Sequence, residues 1–149
     1  MLREIHARQL FFPVPGYTIG GVQKEVKSQA TEYENPTDAQ FVENVMWTQS
    51  NVVFITLNIP GSNNDGLPWS GNFFKAPAAP FLNEAARQQE VTERNAANLR
   101  WLDRAFHTAK AKKAAGVVIA LQSDMWDPAA LVSGGDGLAG YTEFVQALA

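Results

Sequence analysis

The sequence predicts an α/β domain with a mixed sheet flanked by helices, and three segments lead to this prediction. Residues 52–59 are rich in β-branched side chains and predict a strand, and residues 117–121 predict a second one. Between them, residues 84–115 repeat apolar positions at three- and four-residue spacing, as an amphipathic helix does. Strand, helix and strand in this order are typical of the α/β class.

The remaining elements are inferred from weaker patterns. We expect a helix at 2–12, little regular structure at 16–36, a strand at 41–47, a long loop at 67–83 and a last helix at 141–149. A polar turn, Gln49-Ser50-Asn51, would join the strand at 41–47 to the strand at 52–59 as a hairpin. The apolar character of 52–59 predicts burial on both faces, and 117–121 should also be buried. Three strands are few for such a sheet, so the chain looks like part of a larger fold.

Composition excludes several classes of function. The 149 residues suit one domain, 46% of them are hydrophobic, and 18% are charged. The formal charge of −3 predicts no nucleic-acid partner, and the one basic cluster, Lys110, Lys112 and Lys113, suits the negative end of a helix dipole. The absence of cysteine excludes disulfides and thiolate chemistry. No apolar run predicts a membrane anchor or a signal peptide, so the chain as written is expected to be cytoplasmic. Export, for example to the periplasm, would require a longer precursor.

Two polar loops follow the carboxyl ends of the two main predicted strands, where open α/β sheets bind ligands. Residues 61–65, Gly-Ser-Asn-Asn-Asp, and residues 122–124, Gln-Ser-Asp, carry oxygen and amide groups that can hold a metal or a phosphate. All the residue types of the first loop also favour ordinary turns, so a turn without a ligand is the competing interpretation. By contrast, His6 and His107 show no metal-ligand spacing, and we expect surface or packing roles for both.

Four motifs in order resemble those of bacterial calcineurin-like metallophosphoesterases. They are Glu43-Asn44-Val45-Met46-Trp47, then Pro60-Gly61-Ser62-Asn63-Asn64, then Arg94 to Leu102 with its Ala-Asn-Leu-Arg-Trp-Leu ending, then the strand that runs into Gln122-Ser123-Asp124. One branch of that family reads E-N-x-x-W, G-S-N-N, A-N-x-x-W-L and Q-(A/S)-D. The resemblance extends over residues 2–149, and it implies that residues 1–149 form a single domain, the later part of a phosphoesterase domain.

The resemblance implies a partial αββα sandwich and a two-metal site of Mn, Fe or Zn that hydrolyses a phosphate ester. Gln122 and Asp124 would edge the metals, with Gln122 standing where the wider family has histidine. Asn63 and Asn64 would line the substrate side. However, the family's other ligand motifs, D-x-H, G-D-x-x-D, G-N-H and G-H-x-H, are missing from these residues. The resemblance therefore implies a metal-dependent phosphoesterase of which this chain alone is inactive.

Two alternatives stay open. The chain could be a non-catalytic α/β module that binds a partner or associates with itself, for example as a homodimer through an exposed sheet edge. It would then hold no metal. The third and weakest interpretation is a carbohydrate-binding module that uses its four tryptophans, Trp47, Trp69, Trp101 and Trp126.

Overall fold

The computed structural model describes residues 2–66 and 84–149 and shows a mixed α/β fold, as the sequence predicts. The predicted loop at 67–83 lies outside the described residues. Four strands form one sheet in the order β1-β2-β3-β4, namely Lys27–Ser28, Val45–Gln49, Val52–Thr56 and Gly116–Ala120. The helices are α1 (Leu2–Phe11), the short turn α2 (Gly61–Asp65), the long α3 (Glu84–Lys112) and α4 (Thr142–Leu148). Short 3-10 segments lie at Pro36–Gln40, Pro128–Leu131 and Ala139–Tyr141.

The sheet combines an antiparallel hairpin with one parallel neighbour. Strands β2 and β3 pair from Met46 with Ile55 to Gln49 with Val52, so Ser50 and Asn51 alone form the turn. Both turn residues have positive φ, 50° and 61°, the conformation that two-residue hairpins of type I′ require. Strand β4 then pairs parallel to β3 after the chain has crossed over through α3. The predicted hairpin is therefore confirmed.

One face of the sheet packs against α3 and α4. Alternate residues of β3, Val53 and Ile55, are fully buried there, since side chains of a strand alternate between its faces. The same cluster contains the following buried side chains: Met46, Leu57, Ile59, Trp101, Leu102, Ala105, Met125, Tyr141 and Phe144. The core thus lies between one face of the sheet and the two carboxyl-terminal helices.

The opposite face of the sheet is open, which corrects two predictions. Phe54 on β3 is only half-buried and stacks on Trp47 of β2, with ring centroids 5.1 Å apart. Next to Phe54, Val118 of β4 is 47% exposed. The predictions that 52–59 is covered on both faces and that 117–121 is buried were wrong, because β4 is an edge strand and one face lacks a covering layer among the described residues.

Boundaries differ from prediction at two further points. Residues 16–36 contain the two-residue strand β1, which pairs with β2 and was not predicted. The strand predicted at 41–47 begins only at Val45, since Phe41 is the buried residue that ends a 3-10 turn. In the described parts of the chain, no helix combines the length and the apolar character that crossing a bilayer requires.

Candidate functional site

The two polar loops predicted from the sequence lie side by side at one edge of the sheet. Strands β3 and β4 are parallel, and the Leu57 amide continues their pairing with a 3.0 Å hydrogen bond to the Ala120 carbonyl oxygen. Beyond it, the Ser123 hydroxyl donates to the Ile59 carbonyl oxygen over 2.6 Å. The loop that contains Asn63 and Asn64 and the loop that contains Gln122 and Asp124 therefore leave the sheet together.

The first loop has an uncommon backbone. Ser62, Asn63, Asn64 and Asp65 all have positive φ, between 53° and 61°, and together with Gly61 they form one left-handed turn. A left-handed conformation costs about 1–2 kcal/mol per ordinary L-residue, although Asn and Asp tolerate it better than most. Consecutive left-handed residues persist only where surrounding contacts hold them.

The carboxyl-terminal segment supplies part of that support. The Gly140 amide donates to Asn63 Oδ1 over 2.6 Å, and Asn64 Nδ2 donates to the Gly140 carbonyl oxygen over 2.9 Å. The Tyr141 hydroxyl also donates to the Pro60 carbonyl oxygen over 3.0 Å. A Cβ added to Gly140 would lie 2.2 Å from the Asn63 carbonyl oxygen, so only glycine allows this approach.

Helix α3 supplies the rest through two arginines. Arg94 is 1% exposed, and its Nη1 and Nη2 donate to Asn64 Oδ1 over 2.6 Å and to the Asn64 carbonyl oxygen over 3.1 Å. Arg87 donates through Nη1 to the Asp65 carbonyl oxygen over 2.7 Å. Since Asn64 Nδ2 also donates to Asn95 Oδ1 over 2.6 Å, the Asn64 carboxamide is fully engaged inside the protein.

A buried ionic network extends from Arg94 to the amino-terminal helix. Arg94 Nε contacts Glu90 Oε2 over 3.1 Å, and Arg8 Nη2 contacts Glu90 Oε1 over 3.2 Å and Glu43 Oε1 over 2.7 Å. Asn58 Nδ2 donates to the same Glu43 oxygen over 2.7 Å. Burial lowers the pKa of the Arg8 guanidinium, but hydrogen bonds and charges from Glu43 and Glu90 outweigh burial and raise that pKa above its ordinary value.

Next to the ionic network, buried amide side chains form further hydrogen bonds between α3 and the segments that flank the hairpin. Asn44, which is fully buried, donates to Gln29 Oε1 and to Asn98 Oδ1, each over 2.8 Å. Asn98 in turn donates to the Asn58 carbonyl oxygen over 2.8 Å, and Gln29 donates to the Ala97 carbonyl oxygen over 2.8 Å. These partners satisfy polar groups that would otherwise be costly to bury.

Sequence reasoning missed this network, although a signal was present. Arg87, Glu90, Arg94 and Asn98 follow one another at three- and four-residue spacing and so share one face of α3. That face is buried, and it runs on into Trp101 and Ala105. Charged residues at this spacing are usually solvated, so the sequence alone did not indicate that this polar part of the helix is buried.

The second loop is more open than the first. Gln122 and Asp124 are both exposed, and Asp124 Oδ1 accepts a 3.0 Å hydrogen bond from the Trp126 amide in a turn. Among residues 2–66 and 84–149, no three His, Asp or Glu side chains converge as a metal-binding group. Two oxygen donors are fewer than a two-metal centre requires, so the described residues do not fit that centre by themselves.

The described tryptophans and His107 contribute little to this edge. Trp101 is 1% exposed in the core, and its indole N–H has no hydrogen-bond partner among the described residues. Trp47 stacks on Phe54, Trp126 is 62% exposed, and Trp69 lies outside the described residues. His107 is exposed on α3 beside Asp103, in the surface role predicted for it. The described tryptophans do not form one aromatic platform.

The chain matches no protein-family model, no curated protein and no solved structure.

Proposed function

We propose that this chain is the later part of a metal-dependent phosphoesterase domain of the calcineurin-like kind and is inactive alone. Its part in that domain would be one sheet of the αββα sandwich and two loops at the carboxyl edge of that sheet. The observation that carries the proposal is the joint position of the loops after β3 and β4, linked by the hydrogen bond from Ser123 to Ile59.

The open face of the sheet supports the same proposal. In a two-sheet sandwich, the inner faces of both sheets pack on one another about 10 Å apart. The half-buried pair Trp47 and Phe54 together with exposed Val118 form an apolar surface suited to such packing. Helices α3 and α4 already cover the other face, as the outer layer of a sandwich would.

The four predicted site residues would then divide their roles. Gln122 and Asp124 are exposed and can offer oxygen ligands to Mn, Fe or Zn, with the other ligands coming from the family motifs that this chain lacks. Only in an intact domain, with those further ligands, would the site supply the water-activating chemistry of a metal pair. Asn63 is half-buried and can face the substrate, whereas buried Asn64 holds the turn in shape.

Thermal unfolding with and without Mn²⁺ or Zn²⁺ tests the metal part of the proposal. A ligand present at a hundred times its Kd stabilises the folded state by about 2.7 kcal/mol, which corresponds to about 5–10 °C in Tm for a domain of this size. The oxygen donors of Gln122 and Asp124 are too few for a metal pair but can hold one ion, so we expect an upward shift that Asp124→Asn abolishes. The matched control is Asp103→Asn, a 72% exposed carboxylate on α3, which should leave the shift unchanged.

Two outcomes would contradict the proposal. The absence of any shift in the unsubstituted chain would show that Gln122 and Asp124 hold no metal. We also expect negligible hydrolysis of p-nitrophenyl phosphate, so Mn²⁺-dependent turnover that is lost on chelation would show that the chain alone is a complete enzyme.

A second candidate function is a non-catalytic module that binds a partner or associates with itself. The specific observation in its favour is the open edge of the sheet at β4. Cooperative unfolding that no metal alters would favour this candidate over the phosphoesterase.

A further inference from the structure

Strand β4 forms an open edge of the sheet, since β3 is its one strand neighbour among the described residues. Natural proteins protect such edges with charged side chains, proline, bulges or a covering element. The sequence of β4 is Gly-Val-Val-Ile-Ala, with neither charge nor proline, and Val118 at its centre is 47% exposed. We propose that two copies of this chain associate through antiparallel pairing of β4 with β4.

The outward backbone groups of β4 can be assigned from its pairing. The Ala120 carbonyl oxygen accepts from Leu57, so Ala120 faces β3, and by alternation so do Val118 and Gly116. Val117 and Ile119 therefore direct their N–H and C=O groups away from the sheet. Among the residues that the structure describes, nothing pairs with these two donors and two acceptors, so they can pair with another strand.

This arrangement specifies one register. A two-fold axis at Val118 places Val117 of each copy opposite Ile119 of the other, so that outward groups exchange hydrogen bonds. It also pairs all five residues of the strand. The two Val118 residues then form a non-hydrogen-bonded pair, with Cα atoms about 4.5 Å apart and side chains in contact on the open face.

The charges at the two ends of β4 fit this antiparallel orientation. Three lysines precede the strand and two aspartates follow it. Four of these residues are exposed and Asp127 is half-buried, and the five are Lys110, Lys112, Lys113, Asp124 and Asp127. Antiparallel pairing brings the basic end of one copy beside the acidic end of the other. A parallel arrangement would place like charges together, which is unfavourable.

The occupant inferred is a second copy because the edge is complementary to itself in its backbone hydrogen-bonding groups and in charge. The inference does not rest on the proposed phosphoesterase function. A metal-binding monomer would support that function and contradict this inference, so the two can fail separately.

Sedimentation velocity over a range of concentrations tests the association. We expect the unsubstituted chain to form dimers, and Val118→Lys to weaken association at least tenfold, because two like charges would stand opposite one another. The matched control is Val132→Lys, which alters another exposed valine and should leave association unchanged. A chain that stays monomeric at all concentrations, or a Val118→Lys variant that associates as before, would overturn the inference.

A cross-link tests the register independently. The chain has no cysteine, and Cα atoms about 4.5 Å apart can be joined by a disulfide. Val118→Cys should therefore give a covalent dimer under mild oxidation, whereas Asp103→Cys, on the exposed side of α3, should not. Failure of Val118→Cys to cross-link would exclude this register. Slow hydrogen exchange at Val117 and Ile119 in a monomer would show that another segment of the same chain pairs with the edge, which also overturns the inference.

Discussion

Arg94 is a deeply buried charged residue that contacts the loop after β3. It is nearly inaccessible to solvent and interacts with Glu90 as well as with the side chain and carbonyl oxygen of Asn64. A buried charge is tolerated only when partners replace its water, so both Arg94 and Glu90 depend on this pairing. Asn64, which was predicted as a substrate ligand, has its side chain committed to the same interaction.

The first residue-scale prediction follows from this pairing. Arg94→Ala should lower the free energy of unfolding by about 3–5 kcal/mol, since it leaves part of the Glu90 charge uncompensated and frees the left-handed turn. Denaturant unfolding measures the loss. Asp103→Ala, at an exposed position of the same helix, should change stability by less than about 0.5 kcal/mol. A loss below about 1 kcal/mol for Arg94→Ala would contradict the structural role of the network.

At the scale of elements, the hairpin turn offers a prediction on backbone strain. Ser50 has a φ of 50°, which asparagine adopts more readily than serine and a β-branched residue adopts poorly. Ser50→Asn should therefore raise the free energy of unfolding by a few tenths of a kcal/mol, and Ser50→Val should lower it by about 1 kcal/mol. Gln49→Val, in the extended residue beside the turn, controls for the branched side chain itself. Equal effects of valine at both positions would contradict the turn assignment.

The elements also show how far the sequence could predict the fold. Helix α3, strand β3 and the Ser50-Asn51 turn follow from local periodicity and turn chemistry, and these predictions are confirmed. The two-residue strand β1 could not be predicted, because pairing with β2 rather than any local pattern defines it. The exposure of Val118 was also beyond local reasoning, since an apolar run does not reveal whether its strand lies in the middle or at the edge of a sheet.

The candidate site was predictable only in outline. The sequence placed both polar loops after predicted strands, and the structure adds that the loop with Asn63 and Asn64 and the loop with Gln122 and Asp124 adjoin one another. It gave no indication that Gly140, almost eighty residues further along, would contact Asn63. Such a contact depends on the tertiary fold, and it leaves no periodic signal in the sequence.

At the scale of the whole molecule, Gly140 connects the end of the chain to the loop that follows β3. Gly140→Ala should lower the free energy of unfolding by about 1–3 kcal/mol or more, because its Cβ would collide with the Asn63 carbonyl oxygen. Gly61→Ala, where an added Cβ meets no atom within 4 Å, serves as the matched substitution and should be neutral or slightly stabilising. Circular dichroism and tryptophan fluorescence should report one common transition for both variants. Equal stabilities of the two variants would contradict the contact.

The parallel pairing of β3 with β4 has a consequence for the order of folding. A two-residue turn joins β2 to β3 in the hairpin. By contrast, Val52 of β3 and its partner Gly116 of β4 are separated in the sequence by the whole of α3. Closure of a long loop loses more chain entropy than closure of a short one, so non-local pairing slows folding. We therefore expect β4 to join the sheet after the hairpin of β2 and β3 has formed, and until then the outer edge of β3 is itself a template for any extended chain nearby.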